Sequence, residues 1–214
     1  KGTDFNQIIS HFERLGTIKA EKRSQVPAVH LAYLMLQSNF HELKEILPLA
    51  RRVEAKQVVA SNLALIVDPS LAAEALFHDT ERIGEYQDTL DKIKEDASRE
   101  NITFDYHGPN LDTDSLRCRE NVHRACVINV EGEVVPCVFT NPVLSSRYVF
   151  RGESFPLKSM SFGNIRNESL SHIWHKKKYA FFRELFDPET TKRPEQIRQL
   201  MPECCIKCYK RLEA

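Results

Sequence analysis

The chain has 214 residues, with 30 Lys and Arg against 30 Asp and Glu, and 42% of it is hydrophobic. A formal net charge of zero gives no general pull toward nucleic acid or an anionic membrane, and no apolar run approaches the roughly 18 residues of a membrane-spanning helix. Six cysteines are too sparse for a disulfide-stapled domain, and their clustering points to metal binding in a reducing compartment, the cytoplasm.

The first hundred residues alternate between two periodicities. Residues 5–23 read as a helix, with Phe5, Ile8, Ile9, Phe12 and Leu15 at helical spacing and Thr3 or Asp4 as N-cap. Residues 26–36 are almost continuously apolar and suit a strand buried on both faces. Asn39 with Glu42 has the form of a capping box, opening a helix that carries Leu43, Ile46, Leu47, Ala50 and Val53. A second buried strand is expected at 57–67. A helix over 80–101 follows, with Ile83, Tyr86, Leu90, Ile93 and Ala97 spaced 3-4-3-4, and then a short strand at 102–106. This alternation predicts an α/β fold with a parallel sheet. His30, His107 and Asn62 lie on or just after the predicted strands, where such sheets place ligand contacts at their carboxyl ends. His30 and Asn62 are therefore candidate cofactor contacts, against the plainer reading of polar groups satisfied in the core.

The second hundred residues are organised around cysteines. Residues 125–130 and 133–139 are rich in Val and Ile and flank Glu131-Gly132, the pattern of a tight hairpin. Cys118 precedes this hairpin, Cys126 opens its first strand, and Cys137 follows Pro136 at its end. The remaining cysteines, Cys204, Cys205 and Cys208, stand in P-E-C-C-I-K-C-Y. A C-x2-C pair joined to distant cysteines suits tetrahedral zinc or an iron–sulfur cluster, and spacing alone leaves both open. His172 and His175 stand three apart in H-I-W-H and would serve a mixed zinc site, although two surface histidines are the commoner case. Between the clusters, residues 140–160 read as loop, and Asn167 or Ser169 caps a helix with Leu170, Ile173 and Trp174 inward. Phe181, Phe182, Leu185 and Phe186 continue its apolar side. Lys176, Lys177 and Lys178 read as solvated surface, and the proline-containing stretch 187–202 as a connector with one short helix.

Three features of this half, in order, carry a family resemblance: C-x13-G-x4-C (Cys118, Gly132, Cys137), F-G-N-I-R-N-E-S-L-S-H-I-W, and the closing P-E-C-C-I-K-C-Y. Together they resemble the SPASM and twitch domains attached to radical S-adenosylmethionine enzymes. The resemblance implies one auxiliary [4Fe–4S] cluster held by Cys118, Cys137, Cys205 and Cys208, with zinc as the alternative metal. Cys126 is left as a small buried hydrophobe that a two-cluster pattern would recruit, and Cys204 as the less comfortable neighbour of Cys205. It also implies that residues 1–108 are the C-terminal part of a (β/α) barrel, followed at 109–214 by a small α+β cluster domain containing the β-hairpin. S-adenosylmethionine would be the cofactor of the intact parent, and a peptide or protein its substrate. One departure is decisive for activity: no cysteine precedes Cys118, so the C-x3-C-x2-C loop of the catalytic cluster is not in this sequence. The chain also opens on Lys-Gly-Thr-Asp in mid-pattern, without Met or an apolar leader, and so reads as a fragment of an oxidoreductase or maturase, the alternative being a relative that lost that loop. The exposed edge of a partial sheet is expected to be covered by neighbouring strands or by dimerisation. The rival reading is a zinc-stabilised interaction domain without catalysis.

Overall fold

The computed structural model describes residues 2–110, 118–141, 147–187 and 194–213. They divide into two units, Lys1–Leu63 with Glu74–Pro109, and Ala64–Ala73 with Asn110–Ala214. In the first unit α1 (Phe5–Glu21), β1 (Val29–Met35), α2 (Ile46–Arg52), β2 (Ala55–Asn62), α3 (Ile83–Arg99) and β3 (Thr103–Tyr106) alternate in sequence. The three strands are parallel in the order β1-β2-β3, so the fold is mixed α/β as the periodicities predict. Met35 pairs with Asn62, and Ala60 with Tyr106. Val58 and Ala60 of the central strand pack with Leu43, Leu90 and Ala97 in one core.

Local chemistry explains most of these boundaries. The Asp4 carboxylate accepts from the backbone N–H groups of Asn6 and Gln7 at 2.9 and 3.3 Å, capping α1. Tyr86, Leu90, Ile93 and Ala97 are the buried face of α3, the stripe read from the sequence. Glu54, between α2 and β2, takes φ +54°, a left-handed conformation that costs a non-glycine residue about 1 kcal/mol.

Three expectations for this unit are corrected. Strand β1 is not buried on both faces: only Val29 and Met35 are buried, while His30, Ala32 and Leu34 are exposed. Its apolar composition reads as a central strand, but it pairs with β2 alone among the described strands. The Asn39–Glu42 capping box does not form. Asn39 Oδ1 instead accepts from Leu36 N at 2.9 Å and its Nδ2 donates to Leu34 O at 3.0 Å, closing a turn ahead of a 3-10 segment, Phe40–Glu45. The second strand stops at Asn62 rather than 67, and Ala64–Ala73 belongs to the second unit, where Ile66 bridges Val149.

The second unit is built on two antiparallel hairpins and short helices. The first hairpin, β4 (Val127–Ile128) with β5 (Val134–Val135), turns through Gly132 at φ +87°. It is shorter than its Val/Ile-rich sequence implies, because β5 spends further backbone groups on the F-G-N-I-R segment. Val134 N donates to Gly163 O at 2.8 Å, and Phe162 N to Val134 O at 2.9 Å. Asn164 Nδ2 binds Glu131 O at 3.0 Å and Glu133 Oε1 at 2.7 Å, clamping the turn from outside. The second hairpin, β6 (Arg147–Phe150) with β7 (Glu153–Pro156), lies in the stretch expected to be loop. Arg151 and Gly152 both take positive φ, +51° and +83°, as a two-residue hairpin turn requires.

Helix α4 (Leu170–His175) is capped by Ser169, whose Oγ accepts from His172 N at 3.2 Å. A break at Lys176 separates it from α5 (Lys177–Glu184), and α6 (Pro194–Leu200) and α7 (Glu203–Ile206) follow. Of the expected inward residues, Ile173, Phe182, Leu185 and Phe186 are buried, whereas Leu170 and Phe181 are exposed because the break rotates the apolar face. Lys177 and Lys178 are exposed as expected, whereas Lys176 is half-buried, its ammonium donating to Phe162 O at 3.2 Å and pairing with Glu168. The connector's helix is α6, whereas 188–193 and the Pro142 position lie outside the described residues. No helix among the described residues is long and apolar enough to cross a membrane.

Candidate metal centre

Each cysteine is placed by the local structure around it. Cys118 stands just before a tight turn at Asn121, whose carbonyl accepts from Arg124 N and Ala125 N. Cys137 leaves β5 in extended conformation and opens a single 3-10 turn, Val138–Thr140. Buried Thr140 fixes it: the Thr140 hydroxyl donates to Cys137 O at 2.8 Å and lies 3.7 Å from the Cys137 sulfur. Cys204 and Cys205 share the single turn of α7, anchored by Cys205 N donating to Pro202 O at 2.9 Å. Cys208 begins the next turn, its carbonyl accepting from Arg211 N at 3.2 Å.

Five of the six thiols, Cys118, Cys137, Cys204, Cys205 and Cys208, line one cavity of about 40 Å³. A single water needs only about 10–15 Å³ on the same measure, so there is room for a polyatomic group. Tyr148, Phe182 and Phe186 supply apolar wall, and Lys210 and Arg211 the nearby positive charge. Among the described residues, no group of three or more His, Cys, Asp or Glu converges as a lone metal ion requires. The thiols share the wall of one cavity, and such a set of cysteines suits either zinc or an iron–sulfur group.

Burial dominates the electrostatics. It pushes the Cys118 thiol up to about 11, with Cys137 adding to the shift. It raises Cys137 against the opposing hydrogen bond from Thr140, and raises Cys208 strongly. Cys204 and Cys205 share a hydrogen bond that draws Cys204 down and, with burial, drives Cys205 far up. Apart from Cys204, these thiols hold their protons more tightly than a free cysteine, and metal binding must displace them. Lys210 stays charged although burial opposes it, because Glu213 and Glu120 lie 3.2 and 3.4 Å from its ammonium.

Residues 118–209 match the model of the SPASM iron–sulfur cluster-binding domain, from the first cavity thiol to the residue after the last. Residues 118–209 of this chain therefore resemble a SPASM domain. The chain is also 25% identical over 178 residues to the tungsten-containing aldehyde ferredoxin oxidoreductase cofactor-modifying protein of Pyrococcus furiosus. That alignment covers 83% of this chain and 46% of the relative, so the chain spans less than half of that relative's length.

None of the other candidate residues lines the thiol cavity. Cys126 does not line it; its thiol lies beside the Tyr179 hydroxyl and near Arg183, packed on the aromatic core. His172 and His175 are exposed and also off the cavity, His172 facing Glu168 at 3.4 Å and His175 Nδ1 facing Ser171 O at 2.7 Å. In the first unit Asn62 ends β2 at its carboxyl edge, buried, with its Nδ2 donating to His107 O at 2.7 Å. It ties β2 to the segment after β3. His107 is exposed, and His30 is the second residue of β1, exposed and at the amino end rather than the carboxyl end. Sequence reasoning did not single out Thr140, Lys210 or Arg211, whose roles depend on which segments meet.

Proposed function

We propose that this chain is the C-terminal portion of a radical S-adenosylmethionine oxidoreductase or maturase. Cys118, Cys137, Cys205 and Cys208 are its ligands for one auxiliary [4Fe–4S] cluster. The observation that carries the reading is that cysteines from three separated segments line one cavity inside the region that matches a SPASM domain. Cys205 is chosen over Cys204 because it forms the C-x2-C pair with Cys208 and, unlike Cys204, packs against the aromatic core. When bound, the cluster supplies a one-electron relay or an iron site for substrate. The chain's own residues exclude water with Tyr148, Phe182 and Phe186 and balance thiolate charge with Lys210 and Arg211.

Residues 1–108 are, in this reading, the last strand–helix units of a partial (β/α) barrel. The support is a groove of about 690 Å³ along β1, lined by Phe5, Ile8 and Phe12 of α1 with Leu31, Tyr33 and Leu49. Phe5 is 60% exposed there, an apolar surface that a further parallel strand and its helix would cover. The printed name of the Pyrococcus relative, a cofactor-modifying protein, supports a maturation role, with a cofactor, peptide or protein as substrate. Thiolate ligation supports a reducing compartment, the cytoplasm, for this work.

Anaerobic reconstitution tests the metal. The chain should take up four iron and four sulfide and absorb near 400 nm; a colourless protein holding zinc overturns the assignment. The same preparation, reduced and given S-adenosylmethionine, should release no 5′-deoxyadenosine, because no cysteine precedes Cys118. Release above a metal-free control would show that these 214 residues carry the radical chemistry themselves.

A further inference from the structure

Thr140 closes the single 3-10 turn that Cys137 opens, and it is buried, with 3% of its surface exposed. Its backbone is pinned from outside the turn, Met160 N donating to Thr140 O at 2.9 Å. The hydroxyl oxygen lies 2.8 Å from Cys137 O, 3.3 Å from Cys137 N and 3.7 Å from the Cys137 sulfur. It accepts from the Cys137 N–H, which leaves its single proton a choice of two acceptors, the carbonyl or the sulfur.

In the thiol form the Cys137 S–H donates across the 3.7 Å contact, and the hydroxyl proton goes to the carbonyl. Ligation to a metal takes the thiol proton away and leaves thiolate charge on the sulfur. Two electron-rich atoms would then face each other unless the hydroxyl proton turns to lie between them. The turn is favoured, because a hydrogen bond to a charged acceptor is roughly twice as strong as a neutral one. It needs only rotation about the hydroxyl C–O bond. Nor does it orphan Cys137 O, which keeps the Thr140 N–H at 3.2 Å. Cys118 and Cys208 differ, since they meet the backbone N–H groups of Glu120 and Lys210, whose direction the chain fixes.

We propose that the Thr140 hydroxyl donates to the ligated Cys137 sulfur and so raises the reduction potential of the auxiliary cluster. The inference rests on the assignment of that cluster to Cys118, Cys137, Cys205 and Cys208. Its sign follows from charge. An added electron makes the ligand sulfurs more negative, so a hydrogen bond to one of them stabilises the reduced form more than the oxidised form. Burial of Thr140 strengthens the effect, because the bond forms in a low local dielectric. Thr140 is a positioning residue, acting on the cluster through Cys137.

Reductive titration of the reconstituted full chain tests it, with dithionite supplying one electron per cluster and electron paramagnetic resonance following the reduced form. Thr140→Val, Thr140→Ala and Thr140→Ser are compared with the wild type, and iron per chain is measured for each. At the wild-type midpoint, Thr140→Val should lower the reduced-to-oxidised ratio at least about threefold, a shift of about 28 mV at about 59 mV per tenfold. Thr140→Ala should move the midpoint the same way, and Thr140→Ser, which keeps the hydroxyl, should restore it. A purely structural role would lower iron uptake without moving the potential of the clusters that form. An unmoved midpoint in a hydroxyl-free variant at full iron overturns the proposal, as does a Thr140→Ser midpoint equal to that of Thr140→Val. Loss of iron from both hydroxyl-free variants also overturns it, by making the hydroxyl a fastener of the turn through Cys137 N. A wild-type chain that holds zinc overturns the cluster assignment itself, and the iron analysis separates that outcome from the others.

Discussion

Replacing Cys118, Cys137, Cys205 or Cys208 by Ser should each strip the cluster, while Cys126→Ser should keep it. The four lie on three segments that have only the cavity in common, and 67 residues separate Cys137 from Cys205. Closing that loop through a metal couples binding to folding, since the unfolded chain has no preformed site. Removing partners that merely orient ligands costs about 10–100-fold in metal affinity, so removing a ligand should cost at least as much. Cys126 makes a packing contact beside Tyr179 instead, and its replacement should cost about 1 kcal/mol for a buried hydroxyl. Cys204→Ser should retain the cluster, although Cys204 lines the cavity, because Cys205 on the same turn faces the core. The measurement is iron and sulfide per chain for the six single variants, with limited proteolysis of the connector before α7. Full iron in the Cys118 or Cys137 variant would overturn the ligand set, and so would its loss in the Cys126 variant.

Much of this arrangement is legible in the residues, and the parts that are not have identifiable causes. The stripe of α3 and the Asp4 cap of α1 depend on neighbours in sequence, so periodicity and propensity find them. The exposure of His30, Ala32 and Leu34 on β1 depends on what covers the strand, which its apolar run cannot report. The β6–β7 hairpin did leave a signal, Y-V-F and S-F around R-G, but four-residue strands next to charged positions are easily read as loop. At the site, the cysteine spacing shows which residues are candidates. It does not show that Cys204 reaches the cavity, because that follows from the single-turn helix joining it to Cys205. Thr140, Lys210 and Arg211 are ordinary polar residues in sequence. They matter because Thr140 and Arg211 are buried and Lys210 half-buried beside the thiols, a long-range property.

Tyr179→Ala should be among the most destabilising single changes in the second unit, and Tyr179→Phe close to neutral. Tyr179 is fully buried at the centre of the aromatic core: its ring stacks on Phe162 at 4.1 Å and 4°, and meets Trp174 edge-on at 5.3 Å. Phe162 in turn is tied by its backbone to β5, the strand that delivers Cys137. Truncation to Ala removes the ring from a packed interior and leaves a cavity, a loss of about 3–5 kcal/mol for an aromatic side chain. The hydroxyl is a different matter. It is buried beside the Cys126 thiol, which is itself pushed up by burial and offers only a weak sulfur partner. Removing it with Phe keeps the stack and discards a costly polar atom, so the change should stay within about 1 kcal/mol. Denaturant unfolding of both variants at equal metal occupancy separates ring from hydroxyl. A Tyr179→Phe loss as large as that of Tyr179→Ala would mean that the Tyr179–Cys126 contact, not the stack, holds this core together.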